Sequence, residues 1–203
     1  GAPMPFLHMS TAESLKAIAQ AKAAGLPITA KVAPHHFTLT DACCCDYDAT
    51  FKVNPPLRTD ADVDAVKAAL IDGTVDAIAT DHAPHAPELK EMPFDQAPPG
   101  MLGLETALAL TLSETELPIE RTLAYLSWQP AKIAGIADKQ GAIAEGRVAN
   151  ICVIDPSAQW TVDARALASK SRNTPFDGRK LTGKVRHTIL QGEQVVRDGE
   201  AQR

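Results

Sequence analysis

Imidazole and carboxylate side chains recur in this sequence at the points where short apolar runs end. Pro5-Phe6-Leu7 runs into His8, Pro27-Ile28-Thr29-Ala30-Lys31-Val32-Ala33 into His35-His36, and Val75-Asp76-Ala77-Ile78-Ala79-Thr80 into Asp81. Parallel α/β proteins carry their chemistry at the carboxyl ends of strands, where loops converge. Imidazole and carboxylate are also ligands of a catalytic zinc, which keeps one position open for water. A histidine ending one strand is more often a hydrogen-bonded structural residue. Three such ends bring the metal reading level with that one, because a site requires clustering.

Asp81-His82-Ala83-Pro84-His85 leans further toward function. An Asp ending a strand can simply be a turn residue. Here two histidines follow, and Pro84 and Pro87 stiffen the loop, which suits a His85 that must hold a fixed angle to a ligand. Lys52-Val53-Asn54-Pro55-Pro56-Leu57-Arg58 reads either as a proline-rich loop or as an amide and a guanidinium held on a rigid turn for a carboxylate-bearing ligand. Ala97-Pro98-Pro99-Gly100 could offer backbone N–H groups, since glycine permits close approach. Spacing alone leaves both loops open.

The elements that must position these residues alternate. Ser10-Thr11-Ala12-Glu13 reads as a capping box, Leu15, Ile18 and Ala19 follow at helical spacing, and Gly25 stops the helix. Thr59 caps a second helix over 60–72, with Val63, Val66, Ala69 and Leu70 on one face and Gly73 at its end. Further helices are predicted over 104–113 and from Pro118, in a first helical turn, to about Trp128. This strand–helix alternation is that of a parallel α/β sheet. From about Gly141 the texture changes. A strand over 149–154 is predicted to end at Asp155-Pro156, and 184–190 with 194–197 to form a hairpin turning on Gly192-Glu193.

The chain has 203 residues, 45% of them hydrophobic and 22% charged, enough for a packed core and too few charges for a disordered acidic chain. A net charge of −5 with no basic cluster argues against nucleic acid as partner. No apolar run reaches the length of a membrane helix and no secretory signal is visible, so the expectation is a soluble, cytoplasmic protein. Cys43, Cys44 and Cys45 are adjacent and Cys152 is remote, which lacks the spacing of a cysteine zinc site.

Taken together, Phe6-Leu7-His8-Met9-Ser10-Thr11, Pro34-His35-His36, Asn54-Pro55-Pro56-Leu57-Arg58 and Asp81-His82-Ala83-Pro84-His85 resemble the type I dihydroorotases of the amidohydrolase superfamily. Pro99-Gly100-Met101-Leu102-Gly103-Leu104-Glu105-Thr106 and Ser171-Arg172-Asn173-Thr174-Pro175-Phe176 continue the likeness, which covers nearly the whole chain. Such enzymes reversibly interconvert N-carbamoyl-L-aspartate and L-dihydroorotate in pyrimidine biosynthesis, with two zinc ions per complete active site. The resemblance implies that His8 ligates one zinc, and that Asp81 ligates the other and acts as general acid/base. It implies substrate contacts from Asn54, His85 and the backbone near Pro99 and Gly100. His35 and His36 match a family motif and receive no catalytic role; Arg58 is expected to be structural.

The family's His-x-His pair is absent from this sequence. A complete (β/α)8 barrel needs about 250 residues. The expected fold is therefore α/β: the C-terminal portion of such a barrel, strands six to eight, over 1–138, and a small β-sandwich tail over 139–203. The chain is expected to be part of a longer dihydroorotase, unable alone to hold two zincs and inactive in isolation. Exposed barrel edges imply that the isolated part associates or aggregates unless it finds its other half, and a homo-oligomer is the expected assembly, with aspartate carbamoyltransferase as a further partner. The alternatives are a related hydantoinase, dihydropyrimidinase or allantoinase, or a non-catalytic dihydroorotase-like subunit that scaffolds aspartate carbamoyltransferase.

Overall fold

The computed structural model describes residues 2–202. Strand β1 (Met4–Phe6) leads into helix α1 (Ala12–Ala23), strand β2 (Ile28–Val32), helix α2 (Asp60–Asp72) and strand β3 (Ala77–Ile78). The three strands form a parallel sheet in the order β1-β2-β3, with Phe6 opposite Ala30 and Val32 opposite Ile78. Parallel pairing sets their carboxyl ends side by side, and so brings His8, the His35-His36 segment and Asp81 to one end of the sheet.

Local chemistry explains both helices. Thr11 caps α1, its hydroxyl accepting from the Ser14 N–H. The cap is therefore one residue later than the Ser10 of the expected Ser10–Glu13 box. Ser10 is buried, and its Oγ instead accepts from Arg58 Nε. Thr59 caps α2 as expected, and Gly73 ends it in the left-handed region at φ 87°. At the end of α2, Tyr125 Oη donates to the Leu70 carbonyl and Arg121 donates to those of Leu70 and Ile71. These carbonyls have no partner inside their own helix.

The third strand is shorter than the predicted 75–80. Only Ala77 and Ile78 pair regularly, while the Asp76 carboxylate accepts from Ala30 N–H and Lys22 Nζ across the sheet. Helix α3 (Pro87–Lys90) is a single turn, followed by α4 (Ala107–Glu114), α5 (Ile119–Leu126) and α6 (Trp128–Ile133). Pro118 sits at the cap of α5 rather than in its first turn.

Strands β4 (Ile151–Thr161), β5 (Lys180–Leu190), β6 (Glu193–Arg197) and β7 (Glu200–Ala201) form an antiparallel sheet in that order. Asp155-Pro156 does not end β4. The Asp155 carboxylate accepts from the N–H groups of Ser157 and Ala158 and from the Ser157 hydroxyl, so the strand bulges and continues. The β5–β6 hairpin turns on Gln191-Gly192, one residue earlier than expected, with φ of 54° and 88°. Two left-handed residues are what a two-residue type I′ turn needs.

Two hydrophobic clusters hold these parts together. One joins Leu15, Val32, Phe37, Val66, Leu70, Ile78 and Tyr125 beneath the parallel sheet. The other joins Leu39, Val53, Leu57, Met101 and Leu110 to Val162, Phe176 and Leu181 of the tail. The segment between β4 and β5 is thus packed into the body that carries the strand-end loops.

Candidate functional site

Three loops leave the carboxyl end of the parallel sheet, and two of them do so through strained backbone. His8 has φ 54° and Asp81 φ 50°, the left-handed region that costs a non-glycine residue about 1–2 kcal/mol. The turn at each residue aims its side chain at the other. His8 Nδ1 lies 3.8 Å from Asp81 Oδ1, and His35 Nε2 lies 3.9 Å from Asp81 Oδ2. Both separations are too long for hydrogen bonds.

His35 is 2% exposed and its Nε2 has no hydrogen-bond partner. Burial, with the nearby His36 and His8, pushes its pKa well below the usual imidazole value. His36 packs edge-on against it, ring centroids 4.3 Å apart, and is lowered to about 4, mainly by burial. Both rings are therefore neutral at pH 7 and present lone pairs. His36 Nε2 lies 2.9 Å from the Pro55 carbonyl, so that nitrogen carries the proton and ties the Asn54-Pro55 turn to the site. Asn54 itself is exposed on that turn.

The far side is built from Asp81-His82-Ala83-Pro84-His85 and the 97–103 loop. His85 Nε2 donates to the Pro99 carbonyl at 3.1 Å, which leaves Nδ1 as the acceptor. Gly100 lies directly against that ring: a Cβ there would stand 2.8 Å from His85 Nε2 and 2.6 Å from Ala83 Cβ. Its N–H is already given to the Lys52 carbonyl at 2.7 Å, and Pro99 has none. The free backbone N–H groups that the sequence suggested in this loop are thus not available at these two positions. His82 is turned away, its Nδ1 accepting from the N–H groups of Gly103 and Leu104. Arg58 bonds Ser10 Oγ through Nε, and its carbonyl accepts from Asp41 N–H.

The donor set suits a metal ion. A buried, partnerless imidazole nitrogen and a second imidazole nitrogen flank one carboxylate, and nitrogen and oxygen donors of this kind bind zinc. Among the described residues no group of three or more His, Cys, Asp or Glu encloses an ion by itself.

Residues 5–195 match the family model described as "Amidohydrolase family". The chain belongs to the amidohydrolase family. Among curated amidohydrolase relatives, the dihydroorotase of Geobacter sp. (strain M21) is 45% identical over 98% of this chain and 47% of its own length. That of Geobacter metallireducens (strain ATCC 53774 / DSM 7210 / GS-15) is 48% identical over 96% of this chain and 46% of its own. This chain thus spans about half the length of the curated relatives it matches. Among solved structures, L-hydantoinase (dihydropyrimidinase) from Arthrobacter aurescens superposes with a TM-score of 0.93 at 28% identity, over 100% of this chain and 47% of that one. Dihydropyrimidinase from Brevibacillus agri NCHU1002 gives 0.92 at 26% identity, over 98% and 46%.

Of the site residues expected from sequence, His8 and Asp81 come together, and His85 meets Pro99 and Gly100. Asn54 is not brought into contact with them: it is exposed, and only its neighbour Pro55 bonds His36. Two residues given no role also enter: His35 beside Asp81, and Asn173, whose side chain bonds His85, Ala83 and Gly100. The Asn173-Thr174-Pro175-Phe176 stretch did carry a signal, a short polar turn fastened by a large apolar residue. No helix among the described residues is long and apolar enough to cross a membrane.

Proposed function

We propose that this chain carries part of the active site of a dihydroorotase, which interconverts N-carbamoyl-L-aspartate and L-dihydroorotate in pyrimidine biosynthesis. What supports the reading is one carboxylate flanked by two imidazoles, on a chain 45% identical to a dihydroorotase across nearly its whole length. The 28% identity to a hydantoinase is lower, although the fold is shared. In this reading residues 1–138 are strands six to eight of a (β/α)8 barrel with their helices, and 139–203 form a small β-sandwich tail.

His8 and Asp81 would hold zinc, with two ions serving the complete site. When bound, zinc supplies Lewis acidity and a nucleophile at neutral pH. Asp81 takes the proton of the attacking nucleophile and returns it to the ring nitrogen as the ring amide bond breaks. In the biosynthetic direction the steps reverse, so Asp81 starts protonated and lower pH favours cyclisation. Asn54 and His85 orient the substrate's ring and carboxylate beside the Pro99-Gly100 backbone. The lone pair on His85 Nδ1 suits a ring N–H.

The reading carries a cytoplasmic enzyme that forms a homo-oligomer or assembles with aspartate carbamoyltransferase. Met4 and Leu7, 54% and 51% exposed on the β1 side, would face the preceding strands of the complete barrel. Turnover of dihydroorotate, hydantoin and allantoin by the zinc-loaded polypeptide carrying these residues tests the proposal. Dihydroorotate is expected to be preferred at least about 100-fold by kcat/KM; preference for either other substrate contradicts it.

A further inference from the structure

We infer that Asn173 is a positioning residue: through one buried side-chain amide it fixes His85 against the Gly100 backbone, and so sets substrate affinity at the proposed dihydroorotase site on which this inference rests. Asn173 is 6% exposed and lies in the tail segment between β4 and β5. Its Oδ1 accepts the His85 N–H at 3.2 Å, and its Nδ2 donates to the carbonyls of Ala83 at 2.9 Å and Gly100 at 3.2 Å. Its own carbonyl accepts from Leu102 N–H at 3.0 Å. One residue thus bonds both loops on either side of the His85 ring.

The chemistry of these partners admits only a primary amide in one orientation. An N–H faces Oδ1 and two carbonyls face Nδ2, so a flipped amide would set donor against donor and oxygen against oxygen. A carboxylate of the same shape would accept from His85 but repel both carbonyls. An apolar side chain would leave a buried N–H and a carbonyl without partners. The Gly100 carbonyl keeps one other donor, Lys90 Nζ at 2.9 Å. The 98–100 segment therefore stays near its place when Asn173 is lost, while the His85 backbone is released.

What this release moves is the imidazole. His85 reaches Pro99 through Nε2 from a backbone whose own N–H is held by Asn173, with Pro84 and Ala86 on either side exposed. A purely structural staple would lower stability and leave affinity untouched. A positioning residue acts through His85, and its effect must vanish when His85 is gone.

The test is a double-mutant cycle on KM for dihydroorotate, in the zinc-loaded polypeptide that carries this chain. Asn173→Ala is expected to raise KM about 10- to 100-fold while kcat falls less than about 3-fold. In a His85→Ala background the same substitution is expected to change KM by less than about 2-fold. Asn173→Asp is expected to do as much harm as Asn173→Ala. If Asn173→Ala does not fold, the same cycle is read with Asn173→Ser, whose hydroxyl keeps one of the bonds. Multiplying effects in the double variant, or an unchanged KM with a lowered melting temperature, would overturn the inference. Wild-type protein that turns over neither dihydroorotate nor N-carbamoyl-L-aspartate would overturn the dihydroorotase reading, and this inference with it.

Discussion

The same backbone conformation serves two ends of this molecule for different reasons. In the tail, Gln191 and Asp198 have φ of 54° and 52°, and each is followed by a left-handed glycine, Gly192 or Gly199. Leu190 pairs with Glu193 and Arg197 with Glu200, so both pairs are two-residue hairpin turns. There the strand twist demands positive φ, and topology accounts for its cost. In the parallel sheet, His8 and Asp81 take φ of 54° and 50° with no glycine beside them and no hairpin to make. Their strain brings an imidazole and a carboxylate to within 3.8 Å of each other. Left-handed backbone in the tail is therefore turn chemistry, and at the strand ends, where no turn requires it, it fits the proposed site.

That contrast breaks if the strained residues prove replaceable. His8→Ala should lower turnover at least about 100-fold through loss of the imidazole, measured as kcat on dihydroorotate. It should also be less stable than His8→Gly by about 1 kcal/mol, because glycine accepts the backbone that alanine resists. Equal melting temperatures for the two would remove the strain argument. Gly100→Ala is expected next in size: its Cβ would meet His85 Nε2 at 2.8 Å and Ala83 Cβ at 2.6 Å, at φ 139°. KM should rise about 10-fold, with a destabilisation of about 1–3 kcal/mol in denaturant titration.

The tail should respond in stability alone. Gly192→Ala, at φ 88° with nothing within 4 Å of the added Cβ, should cost about 1–2 kcal/mol and leave kcat/KM unchanged. A loss of activity there would join the two regions in function. The smallest effect concerns Asp62, whose exposed carboxyl is held below its ordinary pKa by bonds from Ala12 N–H first and then from Thr59. A depressed pKa gives stability that is present above the unfolded value and lost as pH falls through the folded one. Asp62→Asn should therefore melt lower than wild type at pH 6, and the difference should close in strong acid.

Much of the scaffold was legible in local chemistry. Thr59 and Gly73 bound α2 because caps act within a turn of the helix they end. His8 and Asp81 were legible as polar residues closing apolar runs, and His85 from the proline-stiffened loop that follows Asp81. What could not be read depends on distant partners. Asp155-Pro156 looked like a strand end because the pattern does not show a carboxylate folding back onto Ser157 and Ala158 to form a bulge. The role of His82, whose ring holds Gly103 and Leu104, was not legible either, because that contact is set by the loop's path. Asn173 bonds groups 73 to 90 positions away, a relation no short window contains.

In the proposed reaction Asp81 moves the proton in dihydroorotate hydrolysis and its reverse. Asp81→Asn keeps the side chain's shape and tolerates the left-handed backbone, so it isolates the carboxylate. The measurement is kcat for dihydroorotate in the zinc-loaded polypeptide before and after that substitution, with circular dichroism on both. A fall of at least about 1000-fold with an unchanged spectrum is the result this account predicts. Near-normal turnover in the variant would contradict it.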